Sequence, residues 1–339
     1  MFVEHQQHRC SHSPAHGGVT MRKGLFIGIN HYMHVSALSG CTNDAMAMAS
    51  VLERHANGRP NFDNKVLTSA EENLTHLYLK QQIQLLFSGD CNVALLYFAG
   101  HGQFDTSIDE GLLIPQDFGQ GVEGIRISDV LKWAEDATHI KNKIIILDCC
   151  QAGAAAAMRG LRGGSSVISE GLTILTACKK DQVAMEGRGH GVFTDLLLQA
   201  LHGGAANVLG KVTPGSVYSF VDNALGAWEQ RPVFKTNVSQ FVPLREVTPL
   251  IPEETLRKLK DWFPDPAFVY PLDPSYEPTA ADFDPDNGEI FSQLQKCNRH
   301  SLIEPVDADH MYFAAMQSTG CRLTALGAYY RELAIKGHF

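Results

Sequence analysis

Two apolar runs in this chain each end at a side chain that can take part in covalent chemistry. The apolar residues 144–147 lead to Cys150, and the apolar residues 93–98 lead to His101. A continuous apolar run is typical of a strand buried within a parallel sheet. Because open α/β sheets bind ligands at the carboxyl ends of such strands, we expect the thiol and the imidazole to lie at one edge of a sheet.

A thiol beside an imidazole could carry out nucleophilic catalysis on a carbonyl carbon. The thiolate is the nucleophile, and His101 could take the proton of Cys150 and later return a proton to a leaving amine. The N–H groups of Gly102 and Cys150 would form an oxyanion hole. Either side chain alone is more simply explained as part of a core, but their shared position at the ends of apolar runs favours a cysteine peptidase.

The elements that must position these residues alternate between strand and helix. Strands are predicted at residues 25–29, 66–67, 93–98, 144–147 and 172–176. Helical spacing of apolar residues is found in residues 43–55, 74–86, 193–201 and 217–228. A further helix is predicted to begin with Ser128 as its N-cap. This alternation predicts an α/β fold in which helices cover both faces of a mostly parallel central sheet, forming three layers.

Composition divides the chain into further parts. Residues 1–20 have no apolar core and are expected to form a disordered leader ahead of Met21, with a main domain over residues 21–247. Eight of the 15 prolines lie between Pro249 and Pro285, which predicts a Pro-rich linker over residues 248–290. Helical spacing then returns, so residues 291–339 are expected to form a small, mainly helical accessory domain.

Charge and cysteine content exclude several classes of protein. The net charge of −9 and the pI near 5.9 argue against nucleic acid as a partner, because phosphate binding needs clustered Lys and Arg. No segment approaches the roughly 20 apolar residues of a membrane helix. Eight cysteines in 339 residues are too sparse for a disulfide scaffold, so a reducing cytoplasm fits best. No cofactor is expected.

Around Cys150 the chain resembles the caspase–metacaspase superfamily of cysteine peptidases, on its prokaryotic, metacaspase-like side. Residues 148–153 read Asp-Cys-Cys-Gln-Ala-Gly, similar to the Asp-Ser-Cys-His-Ser-Gly of metacaspases. Further matches lie in residues 23–32, 38–45, 181–194 and 230–232, so the resemblance extends to about residue 246. It implies a caspase-like sandwich, a cysteine endopeptidase, and a prokaryotic role in stress or defence.

Cys149 is a rival nucleophile. Adjacent residues at the end of a strand point in roughly opposite directions, so only one of Cys149 and Cys150 can face His101. The motif places Cys150 at the nucleophile position, and we expect it to be the reactive residue.

The resemblance also implies a substrate preference. Two aspartates line the primary specificity pocket of metacaspases, and the matching positions are Asp44 and Asp148, with Cys41 and Ala99 beside them. Two carboxylates attract Arg or Lys, and Arg can fork across both, so cleavage after Arg, or Lys, is expected. The alternative for Asp44 is that its side chain caps a helix that begins near Ala45, which is compatible with both roles.

Two features of the sequence concern regulation: the residues that follow Cys150 and a Gly-rich loop. Metacaspases that need calcium carry acidic residues soon after the nucleophile, whereas none follows Cys150 until Glu170, so calcium is not expected to be needed. The Gly-rich segment 159–164 lies in the intersubunit loop at about residues 154–170, and Arg159 and Arg162 are its expected processing sites. An outside activating protease is an alternative to self-processing.

The C-terminal residues 321–339 resemble a winged-helix module, but residues 250–339 hold 8 Lys and Arg against 14 Asp and Glu. This acidic balance disfavours DNA and favours docking of a regulatory protein. Two other functions for the whole chain stay open: a catalytically inactive caspase-like scaffold, and a nucleic-acid sensor built on the C-terminal part.

Overall fold

The computed structural model describes residues 21–149, 168–177, 189–225 and 232–339. The strands are, in chain order, β1 (Arg22–Gly28), β2 (Asp63–Thr68), β3 (Val93–Ala99), β4 (Gly102–Asp105), β5 (Glu110–Leu113), β6 (Ile125–Arg126), β7 (Asn142–Asp148), β8 (Leu172–Thr176), β9 (Lys211–Val212), β10 (Val233–Asn237), β11 (Arg245–Glu246), β12 (Val269–Tyr270), β13 (Ile303–Pro305) and β14 (Cys321–Leu323). The α-helices are α1 (Cys41–Glu53), α2 (His76–Ser88), α3 (Ile127–Asp136), α4 (Val192–Gln199), α5 (Pro214–Leu225), α6 (Glu253–Trp262), α7 (Pro285–Arg299), α8 (Met311–Met316) and α9 (Ala325–Ile335). A π-helical turn (Ala200–Gly204) continues α4.

Six strands form the central sheet in the order β10-β8-β7-β3-β1-β2. All pairs are parallel except β10 with β8, which is antiparallel. Every residue of β3 is buried, and so is every residue of β7 after its first, as the continuous apolar runs predict. The order of the strands makes β3 and β7 direct neighbours.

Two apolar layers cover the sheet. On one face, α2 and α3 pack through residues such as Ile83 and Val130. On the other face, α1, α4 and α5 contribute Met48, Leu197 and Val221 to a second core. The prediction of a three-layer α/β sandwich with a mostly parallel sheet is therefore confirmed.

The predicted N-cap of α3 is wrong. The helix begins at Ile127, and Arg126, the last residue of β6, occupies the cap position without a side-chain hydrogen bond. Because strand β6 runs directly into the helix, Ser128 already lies inside its first turn. The short antiparallel sheet β4-β5-β6, which follows His101 in the chain, was also not predicted.

Residues 248–290 are not an irregular linker. They contain α6, and its Leu256 and Leu259 are fully buried in a third core. Residues before and after the predicted boundary at 291, such as Tyr276 and Phe291, pack in that same core. The prolines therefore lie inside a folded C-terminal unit, where Pro274 and Pro285 begin helical segments.

The C-terminal unit combines helices α6–α9 with the antiparallel sheet β12-β14-β13. A helix separates each strand from the next in the chain. The unit therefore differs from a winged helix, whose wing is a hairpin of consecutive strands. In the part of the chain that the structure describes, no helix is long and apolar enough to cross a membrane.

Candidate active site

The site is built where β3 and β7 end side by side. Ala99 and Asp148, the last residues of these strands, are partners in the parallel register. The next residue, Gly100, donates its N–H to the carbonyl oxygen of Asp148 at 3.3 Å. A Cβ atom on Gly100 would lie 2.7 Å from the hydroxyl oxygen of Tyr32, so only glycine fits without a shift. The chain then leaves the sheet at His101.

His101 is held through both its backbone and its ring. Its N–H donates to the Tyr32 hydroxyl at 2.8 Å, and the two rings lie 4.8 Å apart between centroids. The Nε2 atom lies 2.9 Å from the carbonyl oxygen of Ser36. Since a carbonyl oxygen can only accept a hydrogen bond, Nε2 carries the ring proton of the neutral imidazole. The lone pair is then on Nδ1, which makes Nδ1 the basic atom.

Cys149 belongs to the core. Its side chain is buried in the same apolar layer as Ile145 and Leu147, the residues two and four positions before it in the chain. Asp148 alternates with it and lies on the side of Ile144 and Ile146. Cys150, the expected nucleophile, lies outside the described residues, as do Arg159 and Arg162.

Asp44 and Asp148 form an acidic pair beside these strand ends, and we call them the acidic pair from here on. Their exposed fractions are 3% and 9%. Asp44 is brought there by α1, which packs so closely on β1 that a Cβ on Gly28 would lie 2.3 Å from the carbonyl oxygen of Cys41. Burial first, and then the negative charge of Asp148, raise the pKa of Asp44 from 3.8 to about 6. The negative charge of Asp148 therefore disfavours ionisation of Asp44.

Asp44 does not cap a helix. The N-cap of α1 is Gly40, with φ 98°, and no side chain caps this end. The Asp44 carboxylate instead faces the chain before α4, where His190 Nδ1 lies 2.8 Å from Oδ1. The N–H of Gly191 lies 3.3 Å from both carboxylate oxygens.

Asp148 has its own donor from α4. The Thr194 hydroxyl donates to Oδ2 of Asp148 at 2.7 Å. The Tyr97 hydroxyl lies 2.5 Å from the same Thr194 oxygen. Because the single hydroxyl proton of Thr194 is used on Asp148, Tyr97 must donate to Thr194. Burial, and then the charge of Asp148, raise the pKa of Tyr97 and keep it a donor.

A comparison with protein families decides which family this fold and site represent. The model described as the caspase domain matches residues 21–242. The chain belongs to the caspase-domain family. Membership supports cysteine peptidase activity in general, and it confirms the resemblance stated from the motifs.

Two solved structures are similar to this caspase-domain chain. One is the protein GSU0716 from Geobacter sulfurreducens, with 16% identity and a TM-score of 0.48 over 68% of this chain and 99% of that one. The other is caspase-1 from Spodoptera frugiperda, with 15% identity and a TM-score of 0.48 over 67% of this chain and 94% of that one. No curated protein matches the chain.

Of the other predicted site residues of the caspase domain, Cys41 is half-buried at the start of α1 and Ala99 is buried at the end of β3. Gly102 begins β4, directly after His101. Within the four described ranges, no three His, Cys, Asp or Glu side chains are grouped so that they could hold a metal ion.

Sequence reasoning assigned no role to the side chains that contact the acidic pair and His101. His190 and Thr194 lie in the segment 189–194 that resembles the family, which was the available signal for them. Tyr97 was hidden because an aromatic residue inside an apolar run is usually core. The contacts of His101 with Tyr32 and Ser36 depend on a loop without periodicity.

Proposed function

We propose that the chain is a cysteine endopeptidase that cleaves peptide bonds after Arg, and less well after Lys, through an acyl-enzyme on Cys150. The observation that carries the proposal is the hydrogen bonding of the two ring nitrogens of His101. Its Nε2 is committed to the Ser36 carbonyl, and its basic Nδ1 has no hydrogen-bond partner among the described residues. His101 is only part-buried and lies two residues after the last residue of β3, beside the end of β7, so this nitrogen is free to act as a base there.

In this mechanism Nδ1 of His101 takes the proton of the Cys150 thiol, and the thiolate attacks the scissile carbonyl carbon. The N–H groups of Gly102 and Cys150 stabilise the oxyanion. As the tetrahedral intermediate collapses, the imidazolium returns the proton to the leaving amine. His101 then takes a proton from water, which hydrolyses the thioester and restores the thiol.

The acidic pair, with Cys41 and Ala99 beside it, would receive the basic side chain of the substrate. Each close contact between opposite charges is worth about 4 kcal/mol at an effective dielectric constant of 20. A guanidinium can donate to both carboxylates at once, whereas an ammonium is a single point charge. The same carboxylates repel an acidic side chain, so Asp substrates should be rejected.

The acidic pair and the sequence motifs also support proposals about processing, regulation and cellular setting. Arg159 and Arg162 suit the acidic pair, so the chain would cut its own intersubunit loop unless an outside protease does so. The acidic C-terminal unit would dock a regulatory protein. A cytoplasmic prokaryotic stress or defence effector is the setting that the motifs favour. An inactive scaffold is the alternative, and the orientation of His101 counts against it.

The direct test is a matched series of fluorogenic peptides that differ only in the residue before the scissile bond. Arg, Lys, Asp and citrulline should be compared, because citrulline keeps the shape of Arg without its charge. We expect the order Arg, Lys, citrulline, with Asp uncleaved, and no turnover by Cys150→Ala.

The role of the acidic pair is tested with Asp44→Asn and Asp148→Asn. Each should lower kcat/KM for Arg at least about tenfold, since losing one partner of a charge-assisted pair costs roughly 2–5 kcal/mol when the pair is desolvated. The citrulline peptide should lose much less. Equal losses on all four peptides would mean that the aspartates serve only the fold, and a preference for Asp would refute the pocket assignment.

A further inference from the structure

We propose that His190 is a positioning residue for the acidic pair: it holds Asp44 as a hydrogen-bonded carboxylate beside Asp148 and thereby sets the lowest pH at which the site accepts Arg. The inference rests on the proposed function, since it concerns the regulation of the same pocket. It adds a residue that does not take part in the reaction and that contacts Asp44.

The contact is specific and long-range. His190 and Asp44 are 146 residues apart in the chain, yet Nδ1 and Oδ1 are 2.8 Å apart. The Gly191 N–H at 3.3 Å is a longer bond shared between the two oxygens. Among the residues that the structure describes, His190 therefore supplies the short side-chain bond to Asp44. Its side chain is 23% exposed against 4% for Asp44, so the imidazole is the more accessible partner of this contact.

The chemistry of the bond favours the ionised form of Asp44. A carboxylate accepts from Nδ1–H whether the imidazole is neutral or charged, whereas a protonated carboxyl loses an acceptor site. The bond lowers the pKa of Asp44 and opposes the larger effects of burial and of the Asp148 charge. Removing it should leave those two effects unopposed except for the Gly191 bond.

Within the described ranges, three further titratable groups lie near this pocket. Asp148 lies at the end of β7, Tyr97 lies on β3, and Cys41 begins α1. Asp148 raises the pKa of Asp44, and the buried Tyr97 stays protonated. Tyr97 is not a second donor to Asp44, because its hydroxyl already donates to Thr194.

The segment that carries His190 is suited to this task. Gly191 is the N-cap of α4, and Thr194 in the first turn of the same helix donates to Asp148. A single short stretch of chain thus gives each member of the acidic pair its own side-chain donor. Gly189 has φ 72°, a conformation that favours glycine, and it directs the next residue toward Asp44.

The experiment compares pH profiles for three variants with those of the wild type. His190→Ala removes the donor, and His190→Asn keeps a donor near the position of Nδ1 without a titrating ring. His139→Ala is the matched control, since His139 is exposed and its ring lies within hydrogen-bond distance of the backbone carbonyl oxygen of Gly89. The measured quantity is the ratio of kcat/KM for the Arg peptide to that for the citrulline peptide, which cancels the titration of the catalytic dyad.

For the wild type the ratio should fall as the pH drops through about 6, where Asp44 protonates. In His190→Ala the midpoint should move up by about one pH unit, the size of shift that loss of a hydrogen bond to a carboxylate produces. In His190→Asn and His139→Ala it should stay near the wild-type value. An unmoved midpoint in His190→Ala, with Arg still preferred, would overturn the inference and leave the proposed function standing.

A second readout does not depend on activity. The Asp44 carboxyl can be titrated by carbon NMR in protein labelled at aspartate, with melting temperatures to show that each variant folds. His190→Ala should raise the titration midpoint of Asp44, and His190→Asn should not. If the wild type fails to cleave Arg peptides, the proposed function fails, and this titration alone decides whether His190 positions Asp44.

Discussion

The N–H of Gly100 donates to the carbonyl oxygen of Asp148, one residue beyond the last paired residue of β3. This bond fixes the ends of β3 and β7 relative to each other. From the paired residues Ala99 and Asp148, the chain needs two residues to reach His101 and two to reach Cys150. The register of the sheet therefore brings the segments that lead to His101 and Cys150 to the same level at this edge.

The first prediction concerns the identity of the nucleophile. Cys150→Ala and His101→Ala should each abolish peptidase activity without lowering the melting temperature appreciably. Cys149→Ala is the matched control: it should keep most of the activity and lose about 1 kcal/mol of stability, because the Cys149 side chain is buried in the apolar layer of the core. Peptide hydrolysis and thermal unfolding check both statements. Activity in Cys150→Ala, with Cys149→Ala inactive, would shift the site by one residue.

A large part of the sheet could be predicted because the burial of a strand leaves a signal in the sequence of that strand alone. Buried strands such as β3 and β7 must be apolar throughout, and the sequence shows this directly. Partly exposed strand ends, such as Arg22–Lys23 in β1, carry no such signal, so β1 and β2 were predicted too short. The short strands of residues 102–126 depend on pairing with each other and were missed.

The candidate site also contains residues that have a local signal in the sequence and residues that have none. His101 and Cys150 are predicted from apolar runs that lead to them, and Asp44 and Asp148 from the resemblance to metacaspases. The structure places His101 two residues after the last residue of β3 and Asp148 at the end of β7. His190 contacts Asp44 across 146 residues, and no local pattern encodes that contact. The C-terminal unit was underestimated because prolines usually indicate a linker, although here they lie between buried residues such as Phe263 and Leu272.

The second prediction is that turnover does not require calcium. A calcium site needs several hard oxygen ligands, and residues 151–169 contain no Asp or Glu. Activity on the Arg peptide should be the same in chelator and in millimolar calcium. Loss of turnover in chelator that calcium restores would contradict this. It would direct attention to Asp105 at the end of β4 and to Asp109 and Asp117 on the loops that follow.

The third prediction is self-processing after Arg159 or Arg162. Active protein incubated alone should give two fragments whose junction, read by mass spectrometry, lies within residues 159–164. The double variant Arg159→Gln/Arg162→Gln should stay intact, and Cys150→Ala should stay intact unless active enzyme is added. A wild type that stays intact with full activity would show that processing is dispensable, and cleavage of Cys150→Ala by cell extract alone would indicate an outside protease.

The last prediction is that the acidic pair destabilises the fold at neutral pH. The pKa of Asp44 is about 6 in the folded chain against 3.8 for an ordinary aspartate. Between these values the folded state binds more protons than the unfolded state, so the stability contributed by Asp44 falls as the pH rises from 4 to 6. At one pKa unit per 1.36 kcal/mol, the cost above pH 6 is roughly 3 kcal/mol at most.

Asp44→Asn should therefore raise the melting temperature by several degrees at pH 7.5 while lowering the cleavage of Arg peptides. The gain should shrink as the pH falls below 6, because the wild-type carboxyl is then protonated too. Asp63→Asn, which removes an exposed carboxylate at the start of β2, controls for the change in net charge and should leave the melting temperature nearly unchanged. If Asp44→Asn is no more stable than the wild type at pH 7.5, the ionised carboxylate is not costly to the fold, and its burial beside Asp148 must be offset by contacts stronger than those of His190 and Gly191.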